Sequence, residues 1–190
     1  MSGTEQAPVI GSRRSSLRDF VLLLLASLGT AGGALAETSA VSPSGFLVTH
    51  RHEVRASPQQ VFEAIGRIGQ WWSDVHTYSG HAANLTLDLA AGGCFCEKWD
   101  GNSVQHAQVI SARRGALVRL QGALGPLQPL PVSAILTFAI AAVGDKTQLT
   151  VTYNVAGNAD AALDKLAAPV DTVIGEAANR LVSYINSAKP

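Results

Sequence analysis

Charge is scarce in this sequence and evenly balanced. Asp, Glu, Lys and Arg make up 15% of its 190 residues and give a formal net charge of zero. No global field therefore favours nucleic acid or an acidic membrane surface. Only two cysteines are present, Cys94 and Cys96. None of the five histidines stands at a recognised zinc spacing from them, so no metal site is expected. There is no internal repeat and no low-complexity tract. No Gly-x-x-x-x-Gly-Lys-Ser/Thr loop occurs, which excludes phosphate-loop ATP hydrolysis, and no cofactor is expected. No apolar run approaches the ~20 residues that span a bilayer, so no stable membrane span is expected after processing.

The front of the chain is different in kind. Ser12-Arg13-Arg14-Ser15-Ser16-Leu17-Arg18 carries positive charge, and Phe20 to Leu28 is short and strongly apolar. Ala34-Leu35-Ala36 then reads as a small-x-small cleavage site before Glu37. Residues 1–36 have the anatomy of an export signal, which puts the mature chain in the periplasm or outside the cell. The Arg pair resembles a twin-arginine signal, although Ser16 and Asp19 depart from that pattern; the export route stays open.

Residues 37–45 are rich in Ser, Ala and Pro and read as a flexible lead-in. Residues 46–187 form one domain. Phe46 to Arg55 alternates as a strand, with Phe46, Val48, His50, His52 and Val54 on one face. Ser57 reads as an N-cap with Pro58 at the first helical position, and Val61, Phe62 and Ile65 share one side of that helix. A second short helical turn covers Ile68 to Trp72. Six strands follow at Leu85–Leu89, Cys94–Asp100, Val104–Arg113, Ala116–Leu124, Val132–Val143 and Thr147–Val155. Turn-forming residues separate them, implying an antiparallel meander. Asp160 to Ile185 closes the chain. Leu163, Leu166, Val170, Val173, Ile174, Ala177, Leu181, Tyr184 and Ile185 form one apolar stripe at helical spacing. Pro169 is expected to kink or split this helix. The fold class is therefore α+β: a curved antiparallel sheet of about seven strands wrapped around a long C-terminal helix, with two short helices after the first strand. One helix cannot fill a concave sheet face, so a pocket between them is expected.

Three motifs carry a family resemblance. Ala56-Ser57-Pro58-Gln59-Gln60-Val61-Phe62 is similar to the family's first-helix opening. Trp71-Trp72 resembles a Trp pair at the end of its second helix, and Ala91-Gly92-Gly93-Cys94-Phe95-Cys96-Glu97 resembles its Gly-Gly strand start. With the long final helix, this order resembles the helix-grip fold of the START and polyketide-cyclase (SRPBCC) superfamily. The motifs are most similar to the bacterial branch related to the activator of the heat-shock-protein-ninety ATPase. The resemblance implies a hydrophobic cavity and no single chemistry, since the fold hosts carriers, receptors, cyclases and co-chaperones.

The candidate site residues follow from burial and chemistry. Trp72, His76 and Tyr78 belong to a loop dense in amphipathic rings, a pocket rim or a plug for the core. Cys94 and Cys96 share a strand face about 7 Å apart, at the outer limit for a bridge, which favours buried thiols facing the cavity. Glu97 is a candidate general acid or base together with His76 and His106; the structural alternative pairs it with a base such as Arg119. His50 and His52 either hydrogen-bond a ligand or lie on a solvated edge strand. Tyr153 lies on an inner face and needs a hydroxyl partner. Val170, Ile174, Ala177 and Leu181 are the expected cavity wall. The apolar loop Gly122–Pro131 is either a gate or a wide turn.

The leading expectation is an exported protein that binds a small apolar or amphipathic molecule and leans away from enzyme chemistry. The alternatives are a cyclase-, hydratase- or hydrolase-type enzyme on an aromatic or polyketide-like substrate, and a co-chaperone-like protein-interaction module.

Overall fold

The computed structural model describes residues 35–187. The export-signal expectation lies almost wholly outside the described residues. Eight strands form one antiparallel sheet: β1 (Leu35–Ser42), β2 (Gly45–Val54), β3 (Leu85–Leu87), β4 (Cys94–Trp99), β5 (Asn102–Arg113), β6 (Leu117–Gln121), β7 (Val132–Val143) and β8 (Lys146–Gly157). Their order across the sheet is β1-β2-β8-β7-β6-β5-β4-β3. Strands β3 to β8 are thus a continuous meander, and the N-terminal hairpin adds to its last strand. Two α-helices complete the fold, α1 (Pro58–Gly66) and α2 (Asp164–Ser187), with short 3-10 turns in the connections. This is the helix-grip arrangement.

The strands form where the alternation dictates. On β8, Thr147, Leu149, Val151, Tyr153 and Val155 are buried while their neighbours face outward. On β2, Phe46, Val48, His50, His52 and Val54 are buried on the inner face. Helix α1 begins at a complete capping box: the Gln60 amide donates to Ser57 Oγ, and the Ser57 amide donates to Gln60 Oε1 at 2.8 Å. Val61, Phe62, Ala64 and Ile65 are its buried side.

Three expectations need correction. The lead-in at 37–45 is not flexible: Glu37 to Ser42 belongs to β1 and pairs with β2 through a tight hairpin at Pro43-Ser44. Its small polar residues give little alternation, and the free edge of β2 organises them instead. The sheet accordingly has eight strands rather than about seven. Of the two outcomes expected at Pro169, kink or split, the split does not occur: Pro169 is the sixth residue of a continuous helix. So near the N-terminus the missing N–H costs only one intrahelical bond.

Helix α2 packs chiefly on β2, with further contacts to β1, α1 and β8. Its buried face includes Val170, Ile174, Leu181 and Ile185, and also the small residues Ala167, Gly175 and Ala178. Each large apolar side chain there contributes about 1.5–3 kcal/mol by leaving water. The small ones set how closely helix and sheet approach. At Gly175 there is no space for a side chain: the His50 imidazole, rather than open space, lies beside the helix there.

Candidate functional site

The site begins with an irregularity in β5. Phe95 pairs with Ala107 and Cys96 with Gln105, so His106 is an extra residue in the ladder. A bulge lets two successive residues face the same way. His106 and Ala107 are both buried, although they are adjacent. A regular strand would have turned one of them to solvent. Gly122 on the connection after β6 lies against the backbone of this bulge, with no room for a side chain.

His106 is held on three sides. Its Nε2 lies 2.9 Å from Glu97 Oε2. The Phe95 ring stacks on it at 4.7 Å between centroids, and the Tyr78 ring lies 5.7 Å away. Glu97 is completely buried, at 0% exposure. Its oxygens also accept the backbone amides of Tyr78, at 3.1 Å, and Ser79. Burial would raise the Glu97 pKa, but the Ser79 side chain, the two amides and His106 together outweigh it and hold the carboxyl below its ordinary range. Burial lowers the His106 pKa, and the opposing pull of Glu97 does not reverse that. Near neutral pH the pair is therefore a carboxylate and a neutral imidazole, with Nε2–H donating to Glu97. Arg119 is not the partner of Glu97; its Nε donates to Thr137 instead.

A cavity of about 520 Å³ opens in front of His106. Trp72, Val75, His76, Thr77 and Tyr78 form one wall, from the connection between α1 and β3. Pro169, Val170, Val173 and Ile174 of α2 form another. Leu124, Gly125, Pro126 and Pro129 close a third side, and the Tyr153 ring lies on the sheet. The apolar loop after β6 is thus a cavity wall, and its prolines restrict the backbone there.

The walls are tied together by polar contacts. The Tyr153 hydroxyl donates to the Gly122 carbonyl at 3.0 Å and accepts the Leu124 amide at 2.9 Å. Deep burial raises its pKa far above the ordinary value, so it stays protonated. Trp72 Nε1–H donates to the His76 carbonyl at 3.0 Å. His76 Nε2 lies 3.1 Å from Glu176 Oε2 on α2. A hydrogen bond from Ser73, reinforced by His76, holds the Glu176 carboxyl below its ordinary range despite some desolvation. Arg180 donates from Nε to the Trp71 carbonyl at 2.9 Å and from Nη2 to the Trp72 carbonyl at 3.1 Å. These contacts tie helix α2 to the aromatic connection.

The candidate residues divide into three groups. Trp72, His76, Tyr78, His106, Tyr153, Val170 and Ile174 converge on the cavity. Glu97 stands behind His106 and touches the cavity only through it. Cys94, Cys96, Ala177 and Leu181 are elsewhere. Ala177 and Leu181 lie further along α2 in the closed core. Cys94 and Cys96 are not buried thiols: they form a disulfide on the face opposite Phe95 and Glu97, beside a shallower outer groove of about 820 Å³. Their Cα atoms are 5.3 Å apart, closer than a regular strand allows, because β4 is irregular where β5 bulges. His50 and His52 are on neither a wet edge nor the cavity. Both are buried: His50 Nε2 meets Asp171 Oδ1 of α2 at 2.9 Å, and His52 Nε2 has no hydrogen-bond partner among the described residues. Trp71 is core, with its Nε1–H on the Ala64 carbonyl at 2.9 Å. Among the described residues no three His, Cys, Asp or Glu side chains are arranged to hold a metal ion.

No family model matches the chain, and no curated protein matches it. Solved structures do. The crystal structure of CalU16 from Micromonospora echinospora aligns with a TM-score of 0.56 at 15% identity, over 83% of this chain and 87% of that one. Protein Ms6760 from Mycobacterium smegmatis aligns with a TM-score of 0.57 at 13% identity, over 83% of this chain and all (100%) of the other. EF2215 from Enterococcus faecalis, a conserved protein of unknown function, aligns with a TM-score of 0.55 at 12% identity, over 83% and 80%. At these identities the likeness is one of fold alone, a curved antiparallel sheet with a long C-terminal helix packed on it.

Proposed function

We propose that the chain is an exported protein that holds an apolar or amphipathic small molecule in the cavity between α2, the aromatic connection and the sheet. The carrying observation is the cavity itself: about 520 Å³ lined mainly by rings and aliphatic groups, with two imidazoles among them. Sites for small molecules are commonly concave, mostly apolar and furnished with a few placed polar groups. Val75 and Tyr78, two of the few large apolar side chains left exposed, flank its mouth. The other exposed ones, Val41, Ile110 and Val143, are scattered on separate strands, which favours a cavity over a co-chaperone-like docking face.

Export is supported by the sequence of residues 12–36 and by the Cys94–Cys96 bridge, a bond that oxidising compartments permit. Cleavage after Ala36 would leave Glu37 to Ser42 still paired with β2. The test is a titration of the purified chain with fluorescent fatty acids and aromatic lipophiles. Saturable one-to-one binding that Val173→Trp abolishes is the expected result; absence of saturable binding across the panel overturns it.

The Glu97–His106 pair favours a second reading, an acid–base enzyme of the cyclase, hydratase or hydrolase type. On that reading, His106→Ala removes turnover of an aromatic or polyketide-like substrate while the variant remains folded. Retained turnover in the variant eliminates it.

A further inference from the structure

The polar groups around the cavity are unequal, and their inequality describes a ligand. The Tyr153 hydroxyl is engaged as both donor and acceptor by the backbone at Gly122 and Leu124. The Tyr78 hydroxyl donates to Gln128 Oε1 at 2.6 Å, and Thr77 Oγ1 donates to the Asp74 carbonyl at 2.7 Å. Trp72 Nε1–H is on the His76 carbonyl. His76 sits at the rim, where its side chain is 29% exposed.

His106 differs from all of these. Its side chain is only 6% exposed, yet it lines the cavity. Nε2 is committed to Glu97. Nδ1 has no protein partner among the described residues and is not sealed away: His52 Nε2 is the one fully buried, unpartnered side-chain nitrogen or oxygen there. The tautomer is fixed from behind. A carboxylate held by two backbone amides accepts the Nε2 proton, so Nδ1 carries a lone pair.

We propose that the cavity selects ligands bearing a hydroxyl on a flat apolar frame, a phenol or an enol, whose O–H donates to His106 Nδ1. This rests on the cavity being a ligand site. The lone pair disfavours oxygen groups that can only accept. A ketone or ether oxygen would set lone pair against lone pair. A carboxylate would also meet the negative charge of Glu97 one ring away. A phenol supplies a strong neutral donor and an apolar face for Trp72, Tyr78 and Ile174. A site built to bond a hydroxyl rejects the analogue lacking it because its own polar atom is then left unpaired.

The test compares 2-naphthol, 2-methoxynaphthalene and naphthalene by calorimetric titration of the purified chain at neutral pH, with a fluorescent fatty acid as a general probe. Naphthol is expected to bind about tenfold tighter than its methyl ether, or more, and the ether no better than naphthalene. In chain labelled with ¹⁵N-histidine, naphthol should shift the Nδ1 resonance of one imidazole, and the ether should not. That shift separates a direct hydrogen bond from a merely structural role, and it needs no variant that must fold. Equal affinity of naphthol and its ether overturns the inference and leaves the cavity a ligand site. So does binding of the fatty acid alone. If the fatty acid also fails to bind, the proposed function fails and the inference with it.

Discussion

The His50 imidazole occupies the space that a side chain at Gly175 would need: an added Cβ there would lie 2.7 Å from His50 Cε1. The ring cannot swing aside freely, because Nε2 is bonded to Asp171 at 2.9 Å on the same helix. Two effects then compete in Gly175→Ala. Helix propensity favours Ala by about 1 kcal/mol. Overpacking against a fixed ring costs about 1–3 kcal/mol. The clash should win, and the variant should be about 1 kcal/mol less stable. In a His50→Ala background the clash is gone, so the same substitution should stabilise by up to about 1 kcal/mol. Urea unfolding of the four proteins checks this; additive effects without a change of sign would show that His50 does not set the helix position.

Stability should fall on the acid side in two steps. Burial, with the charge of His50 adding, lowers the His52 pKa, and burial lowers that of His106, both below the ordinary 6.5. As pH drops below about 6.5 the unfolded chain therefore takes up protons first, and the native state loses ground. The Glu97 and Glu176 carboxyls are held below the ordinary 4.5, so a second loss begins below about pH 4.5. Unfolding midpoints measured from pH 8 to pH 3 should be level above pH 7 and decline in both windows. His52→Phe should flatten the first decline. A profile that stays level between pH 7 and pH 5 would refute the assignment.

Much of this fold was legible because β2, β4 and β8 alternate cleanly and α2 carries one apolar stripe. Strand β1 was not, since Glu37 to Ser42 lacks alternation and takes its conformation from the β2 edge. The cavity wall was legible where chemistry and position coincide, as at Trp72, His76, Tyr78 and Tyr153. What failed was counting faces through irregularities. Val104 and Val109 are an odd number of residues apart, so both cannot face inward on a regular strand. That change of phase was the available signal for the bulge at His106. At the same irregularity Cys94 and Cys96 lie closer, at 5.3 Å, than the ideal-strand spacing that put them at the outer limit for a bridge. His106 shares the face of Val104, which pairs with Glu97, and the bulge adds Ala107 to that same buried side.

Tyr153→Phe should loosen the loop that closes the cavity. The substitution keeps the ring and removes the hydroxyl that bridges Gly122 and Leu124. The Leu124 amide and the Gly122 carbonyl then lose their shared partner at a part-buried position. Leaving such groups unsatisfied costs about 1–3 kcal/mol. Amide exchange should accelerate at Leu124 and its neighbours more than in β7 or β8. Unchanged exchange at Leu124 would mean that the prolines, rather than the tyrosine, hold the loop.

Breaking the Cys94–Cys96 bridge should separate stability from binding. The bridge lies on the opposite face of β4 from Phe95 and Glu97, and neither sulfur touches the cavity in front of His106. It closes a loop of only three residues, for which chain entropy gives about 1.5 kcal/mol of stabilisation. Cys94→Ser with Cys96→Ser should therefore lower stability by about that amount, and lipophile affinity should remain within about twofold of the parent. The relevant measurement is a paired one: urea midpoint and probe titration on the same preparation. A large loss of affinity at an unchanged midpoint would place the sulfurs at the ligand after all. A loss of both in proportion would show that β4 transmits the break through Phe95 to the stacked imidazole of His106. The predicted result, lower stability with intact binding, follows from strand geometry alone, because residues 94 and 96 and residues 95 and 97 cannot share a face.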